Sequence, residues 1–89
     1  MGLKLCLIGY GKMGKMLANL ATNYDCTVVS IIDPQQNNYH SEISLQSIGE
    51  AEVCIDFSHP SVVLDNIQKV LTCKKNLVVG TTGWFQHLE

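Results

Sequence analysis

"LIGYGKMGKM", residues 7–16, is the stretch on which the reading of this chain turns. The apolar residues Leu5, Cys6, Leu7 and Ile8 lead up to Gly9, and Gly9, Gly11 and Gly14 then keep a G-x-G-x-x-G spacing. Upstream, "LKLCLIG" (3–9) is short, apolar and closed by glycine, the pattern of a strand covered on both faces. Downstream, Met13, Met16, Leu17, Leu20, Ala21 and Tyr24 recur at helical spacing, with Lys12, Lys15, Asn19 and Asn23 between them. That spacing predicts an amphipathic helix over 12–24. "CTVVSIID" (26–33) is β-branched and apolar, and reads as a second strand. The first 33 residues therefore spell strand, glycine turn, helix, strand.

The three glycines have distinct expected roles. Gly9 ends the strand and permits a tight turn. A side chain at Gly11 would collide with a pyrophosphate approaching the backbone, and Gly14 lets the helix pack close to the strand. The helix N-terminus then offers free N–H groups and its positive end to the anion. The spacing alone is a common pattern; the strand before it and the helix after it supply the context a dinucleotide site needs. Asp33 ends the second strand, 19 positions beyond Gly14. A carboxylate there accepts hydrogen bonds from the adenosine ribose hydroxyls. It also opens an Asp-Pro turn, and the two roles are compatible. Its charge repels a 2′-phosphate and so favours NADH over NADPH. Lys12, at the mouth of the turn, either softens that bias or is a solvated helix lysine.

The rest of the chain continues the alternation. "PQQNNYHSEISLQSIGE" (34–50) is polar, with room for a short helix within Ser41–Ile48. "AEVCIDFS" (51–58) is a third strand. "HPSVVLDNIQKVLTCKK" (59–75) is a helix with Pro60 in its first turn and Ser58 or His59 as cap. Val63, Ile67, Val70 and Leu71 are its expected buried stripe, and Lys74 and Lys75 suit its negative end. "NLVVGTTG" (76–83) is a fourth strand running into a glycine-threonine turn. The alternation predicts an α/β, Rossmann-type parallel sheet with flanking helices and strand order 3-2-1-4. The expected domain is a single dinucleotide-binding domain over 1–89, incomplete by two strands. Ended there, strand four would be an unpaired edge, and self-association through it is expected.

Composition narrows the function classes. Of 89 residues, 46% are hydrophobic and 16% charged, which suits one small globular domain. Net charge is −2, all six basic residues are lysine and there is no arginine. That argues against a nucleic-acid surface and leaves no forked donor for bidentate phosphate recognition. Cys6, Cys26, Cys54 and Cys73 form no C-x-x-C pair and read as small hydrophobes in a reducing, cytoplasmic setting. No apolar run approaches the ~18 residues of a membrane span. His59 reads as a capping or surface residue, and His40 and His87 have no identifiable partner. No nucleophile-base set and no metal-ligand spacing emerges.

"GYGKMG" (9–14), "DFSHP" (56–60) and "VVGTTG" (78–83) occur in the order and at the spacing seen at the start of 4-hydroxy-tetrahydrodipicolinate (dihydrodipicolinate) reductases. The chain resembles that family over its whole length. Its glycine loop is one residue shorter than the common G-x-x-G-R-M-G form, and Lys12 stands in place of the arginine. The resemblance implies hydride transfer from NADH or NADPH to a cyclic dicarboxylate on the route to diaminopimelate and lysine. It implies cofactor contacts at Gly9, Tyr10, Gly11, Lys12 and Met13, the adenosine ribose at Asp33, and the nicotinamide side at Gly80, Thr81 and Thr82. Phe57 and Ser58 would flank the same cleft. The family's proton donor and substrate clamp belong to a second half, so no catalytic residue is expected here and residues 1–89 alone are expected inactive. The full-length protein would be a homo-oligomer, a tetramer in the family. Two other readings stand beside this one: the nucleotide half of an aspartate- or homoserine-dehydrogenase-like enzyme, and a non-catalytic module that senses NAD(H) or CoA. The "GTTG" turn favours the reductase.

Overall fold

A computed structural model describes residues 2–36, 38–58 and 60–80. The elements are β1 (Leu3–Ile8), α1 (Lys12–Ala21) running into a 3₁₀ turn (Thr22–Tyr24), β2 (Cys26–Ile32), α2 (Leu45–Ile48), β3 (Val53–Asp56), α3 (Pro60–Thr72) and β4 (Asn76–Val79). All pairings are parallel. Among the described residues no helix is long and apolar enough to cross a membrane.

The sheet order is β2-β1-β3-β4. The Rossmann-type parallel sheet with flanking helices is as the alternation predicts, but the order 3-2-1-4 is not: β3 lies beside β1 rather than β2. The burial of the strands gives the reason. Leu5 to Ile8 of β1 are all buried, so β1 needs a neighbour on each side. In β2, Thr27 and Val29 are exposed, and among the described residues the strand takes only an isolated bridge from Ile32 to His40 on its outer side. Among its described residues the segment between β2 and β3 holds only the four-residue α2, which packs on β2 as the chain crosses back.

This order decides where a ligand can sit. The β1-α1-β2 unit moves outward in one direction and β3-α3-β4 in the other. Two right-handed crossovers in opposite directions put α1 and α3 on opposite faces. The connections leaving β1 and β3 therefore diverge, and a crevice opens between the carboxyl ends of those two strands.

The main core joins Cys6, Ile8, Ile32, Ile48, Ala51, Cys54 and Val70. Leu5 and Leu7 alternate onto the other face. Cys6 and Cys54 stand directly across from each other in the β1–β3 register, and all four cysteines are free. A hydrogen bond with Cys6, together with burial, pushes the Cys54 thiol up, so it stays protonated.

Both long helices depart in part from the expected inward stripe, α3 only at Leu71. In α1, Gly14 and Ala21 are buried and Leu17 and Ala18 half-buried, while Met13, Met16 and Leu20 are exposed. Gly14 brings the helix so close to the β1 turn that its small residues form the contact. In α3, Val63 and Val70 are buried as expected, but Leu71 is exposed and Asn66 takes its place in the inward stripe with Ile67. The helix ends as Lys74 adopts a left-handed conformation (φ 60°) and its N–H reaches the Leu71 carbonyl at 2.9 Å.

Candidate dinucleotide site

The carboxyl ends of the strands bring together the residues the motifs single out. β1 delivers Gly9 to Gly11, β2 delivers Asp33, and β3 delivers Phe57 and Ser58. All six line one cleft of about 800 Å³. Its far walls are the segment Ser41 to Ile43 and the α3 residues Val62, Asp65, Asn66 and Lys69. A separate open groove of about 450 Å³ runs along β2 and holds none of the motif residues.

Each glycine of the turn answers to a different constraint. Gly9 has φ +88°, and a Cβ on it would stand 2.9 Å from the Ser58 nitrogen. Glycine there both permits the left-handed turn and lets the β1 and β3 loops touch. A Cβ on Gly14 would stand 2.7 Å from the Gly9 carbonyl oxygen, so glycine there sets the helix-to-turn distance. Gly11 is different. Its φ is −86°, and a Cβ on it would meet nothing within 4 Å. Neither backbone conformation nor packing within the described chain calls for glycine there, and Gly11 lines the cleft.

Gly11 is also the N-cap of α1, and no side chain caps the helix there. The first intrahelical bond runs from Lys15 N–H to the Gly11 carbonyl at 3.0 Å. The N–H groups of Lys12 and Met13 are thus among those that a helix leaves without an intrahelical acceptor. The side chains of both residues are exposed, and neither residue lines the cleft itself.

Asp33 is buried, with 9% of its surface exposed. Its Oδ2 accepts the Tyr10 N–H at 2.8 Å and the Gln36 amide at 3.0 Å, and its Oδ1 accepts the Gln35 N–H at 2.9 Å. Burial alone would raise its pKa. The Tyr10, Gln35 and Gln36 hydrogen bonds and the charge of Lys15 outweigh that and hold the carboxyl below the usual carboxylate range. Gln36 also donates to the Tyr10 carbonyl at 2.7 Å. The Tyr10 ring meets Tyr39 edge-on at 5.1 Å, with the Lys15 ammonium 5.9 Å from its centroid. Tyr10 is therefore tied at its N–H, its carbonyl and its ring. Of the contacts expected in the turn, its N–H is the one already spent on Asp33.

The β3 end is held by a second buried carboxylate. Asp56 is fully buried; its Oδ1 accepts the Ser58 N–H at 2.7 Å and the Ser58 hydroxyl, and its Oδ2 accepts the Asn66 amide at 3.2 Å. Asn66 also donates to the Ser58 Oγ at 3.0 Å. This cluster fixes the loop that carries Phe57. Gly80, at the end of β4, donates its N–H to the Asp56 carbonyl at 2.8 Å, and a Cβ on it would run into the Phe57 ring. Thr81 and Thr82, expected on the nicotinamide side, lie outside the described residues, as do His59 and His87.

Gln36 and Asn66 were not legible as site residues. Asn66 had a faint signal, an amide at an inward-facing position of an apolar helix stripe. Gln36 had none, because its partners are 3 and 26 residues away. Among the described residues no group of three His, Cys, Asp or Glu could hold a metal ion.

A family model described as "Dihydrodipicolinate reductase, N-terminus" matches residues 3–89. The 4-hydroxy-tetrahydrodipicolinate reductase of Staphylococcus carnosus is 37% identical over 84 residues, covering 91% of this chain and 34% of that protein. The same enzyme of Streptococcus uberis is 35% identical over 94 residues, covering 94% of this chain and 36% of that protein. The chain thus spans about a third of the length of these curated relatives. Among solved structures, a dipicolinate-bound dihydrodipicolinate reductase from Paenisporosarcina sp. TG-14 superposes with a TM-score of 0.78 at 19% identity, covering 98% of this chain and 42% of that one. A scyllo-inositol dehydrogenase from Lactobacillus casei with bound NAD(H) superposes with a TM-score of 0.71 at 12% identity, covering 89% of this chain and 28% of that one. At these identities the two structures speak for the fold.

Proposed function

The chain belongs to the dihydrodipicolinate reductase family, matching its N-terminal portion, and from that premise we propose that residues 1–89 hold the NADH or NADPH of a 4-hydroxy-tetrahydrodipicolinate reductase. The observation that carries this reading is Gly11. Gly11 lines the cleft and a Cβ there would meet nothing within 4 Å, so the lack of a side chain has no use until a ligand approaches that backbone.

The residues fit such a group. The N–H groups of Gly11, Lys12 and Met13 and the positive end of α1 would face the pyrophosphate. Asp33 would accept the adenosine ribose hydroxyls on the lone pairs its protein partners leave free. Its charge disfavours a 2′-phosphate, which makes NADH the better ligand. Phe57, seated on Gly80 and anchored through Asp56, would cover the β3 end of the cleft, with Ser58 beside it. The bound nicotinamide supplies a hydride, and the acceptor in this family is a cyclic dicarboxylate. The residues that clamp and protonate that substrate would lie in the remaining part of the enzyme, so residues 1–89 bind cofactor without turning substrate over.

The test is fluorescence titration of the protein with NADH and NADPH, before and after Gly11→Val. Saturable binding that the substitution abolishes, with the melting temperature unchanged, is the expected result. Binding that survives a valine at Gly11 would overturn the assignment of the turn to the pyrophosphate.

A further inference from the structure

We propose that Gln36 is a positioning residue for the cofactor: its side-chain amide clamps the Asp33 carboxylate to the Tyr10 backbone, so that the ribose acceptor and the phosphate turn move as one unit. The inference rests on the cofactor reading above.

The geometry is a closed ring of hydrogen bonds. Tyr10 N–H donates to Asp33 Oδ2 at 2.8 Å; Gln36 Nε2 donates to the same oxygen at 3.0 Å and to the Tyr10 carbonyl at 2.7 Å. Both hydrogens of the Gln36 amide are spent in this ring. Two consequences follow. Among the described residues Asp33 Oδ2 accepts twice while Oδ1 accepts only the Gln35 N–H, so the vacant lone pairs sit mainly on Oδ1 and the carboxylate has one favoured direction for a ribose diol. And the ring contains no donor left over for a 2′-phosphate, so the clamp adds to the bias of the Asp33 charge rather than relieving it. Gln36 does not line the cleft, so it acts through Asp33 and Tyr10 and not by touching the ligand.

The charged and titratable groups around Asp33 are Lys15 on α1, Tyr10 in the turn, Tyr39 and His40 on the segment after β2, and Glu42, Asp65 and Lys69 across the cleft. Of these, Lys15 is the one whose charge bears on Asp33.

The experiment compares the full chain with Gln36→Leu and Gln36→Lys. NADH and NADPH are titrated across pH, and the Asp33 carboxyl is followed by carbon NMR without cofactor. Leucine removes both donations, so NADH affinity should fall about tenfold. Without cofactor, the Asp33 titration should move up toward the ordinary carboxylate range, and the acid limb of NADH binding should move up with it. Lysine keeps a donor for both oxygens and adds a cation. NADH affinity should then stay within about threefold of the unaltered chain while NADPH tightens at least as much. If the unaltered chain binds neither dinucleotide, the cofactor reading falls and this inference with it. If it binds NADH, but Gln36→Leu shifts neither the affinity nor the Asp33 titration, the inference alone falls.

Discussion

The backbone N–H of Tyr10 donates to Asp33 Oδ2 at 2.8 Å, joining two strand ends that are 23 residues apart in the chain. The bond makes the glycine turn and the end of β2 parts of one site. It also spends the Tyr10 N–H, so under the proposed function the pyrophosphate would be met by Gly11 and the first turn of α1.

Replacing Asp33 by alanine separates the two dinucleotides. NADH should lose about ten- to a hundredfold in affinity, the worth of a hydrogen bond to a charged group. NADPH should lose less, because the repulsion of its 2′-phosphate is relieved at the same time. Parallel fluorescence titrations check this, and equal losses would count against a ribose contact.

The same carboxylate should write itself into the acid stability of the fold. Its pKa is lower folded than unfolded, so the stabilisation it contributes is complete above the ordinary carboxylate value of ~4 and is lost as pH falls through the depressed folded value. Urea midpoints measured from pH 7 downward should therefore drop in that window for the unaltered chain. Asp33→Asn should be less stable at pH 7 and flatter below pH 4. A variant with an acid slope like that of the parent would show that Asp33 is not paired in solution.

Gly14→Ala should cost stability where Gly11→Ala does not. The new methyl would stand 2.7 Å from the Gly9 carbonyl oxygen, which belongs to backbone and cannot swing away. Overpacking of this kind costs about 1–3 kcal/mol, against a small gain in helix propensity. Thermal melts of the two variants side by side give the answer, and an undiminished Gly14→Ala would mean that α1 stands further from the turn.

Asp56→Ala should be among the more damaging single changes at the site. It removes the acceptor that the Ser58 N–H, the Ser58 hydroxyl and the Asn66 amide share, and losing the partner of a buried donor costs about 1–3 kcal/mol. Chemical denaturation measures the loss. Because the cluster carries Phe57 toward the cleft, NADH affinity should fall even at temperatures where the variant is fully folded.

Much of this was legible in the chain itself. "LKLCLIGYGKMG" specifies a buried strand, a turn and a helix start from apolar run and glycine spacing alone, because those are local preferences that survive packing. Asp33 was legible for the same reason: its distance from the glycines is set by one helix and one strand. The inward faces of α1 and α3 were less so. Exposed methionines and a half-buried asparagine depart from the usual pattern, since Gly14 sets how near α1 lies and Asp56 takes an amide partner from α3.

The sequence by itself determined the alternation of strands and helices, the glycine turn and the acidic residue that ends β2. Only the tertiary structure decided that β3 pairs with β1, that the cleft opens between those two strands, and that Gln36 holds Asp33 and Asn66 holds Asp56. Strand order depends on which edges are buried and how the polar segment after β2 crosses back, and hydrogen bonds between loops depend on that order. Neither leaves a period or a spacing for a linear reading to find.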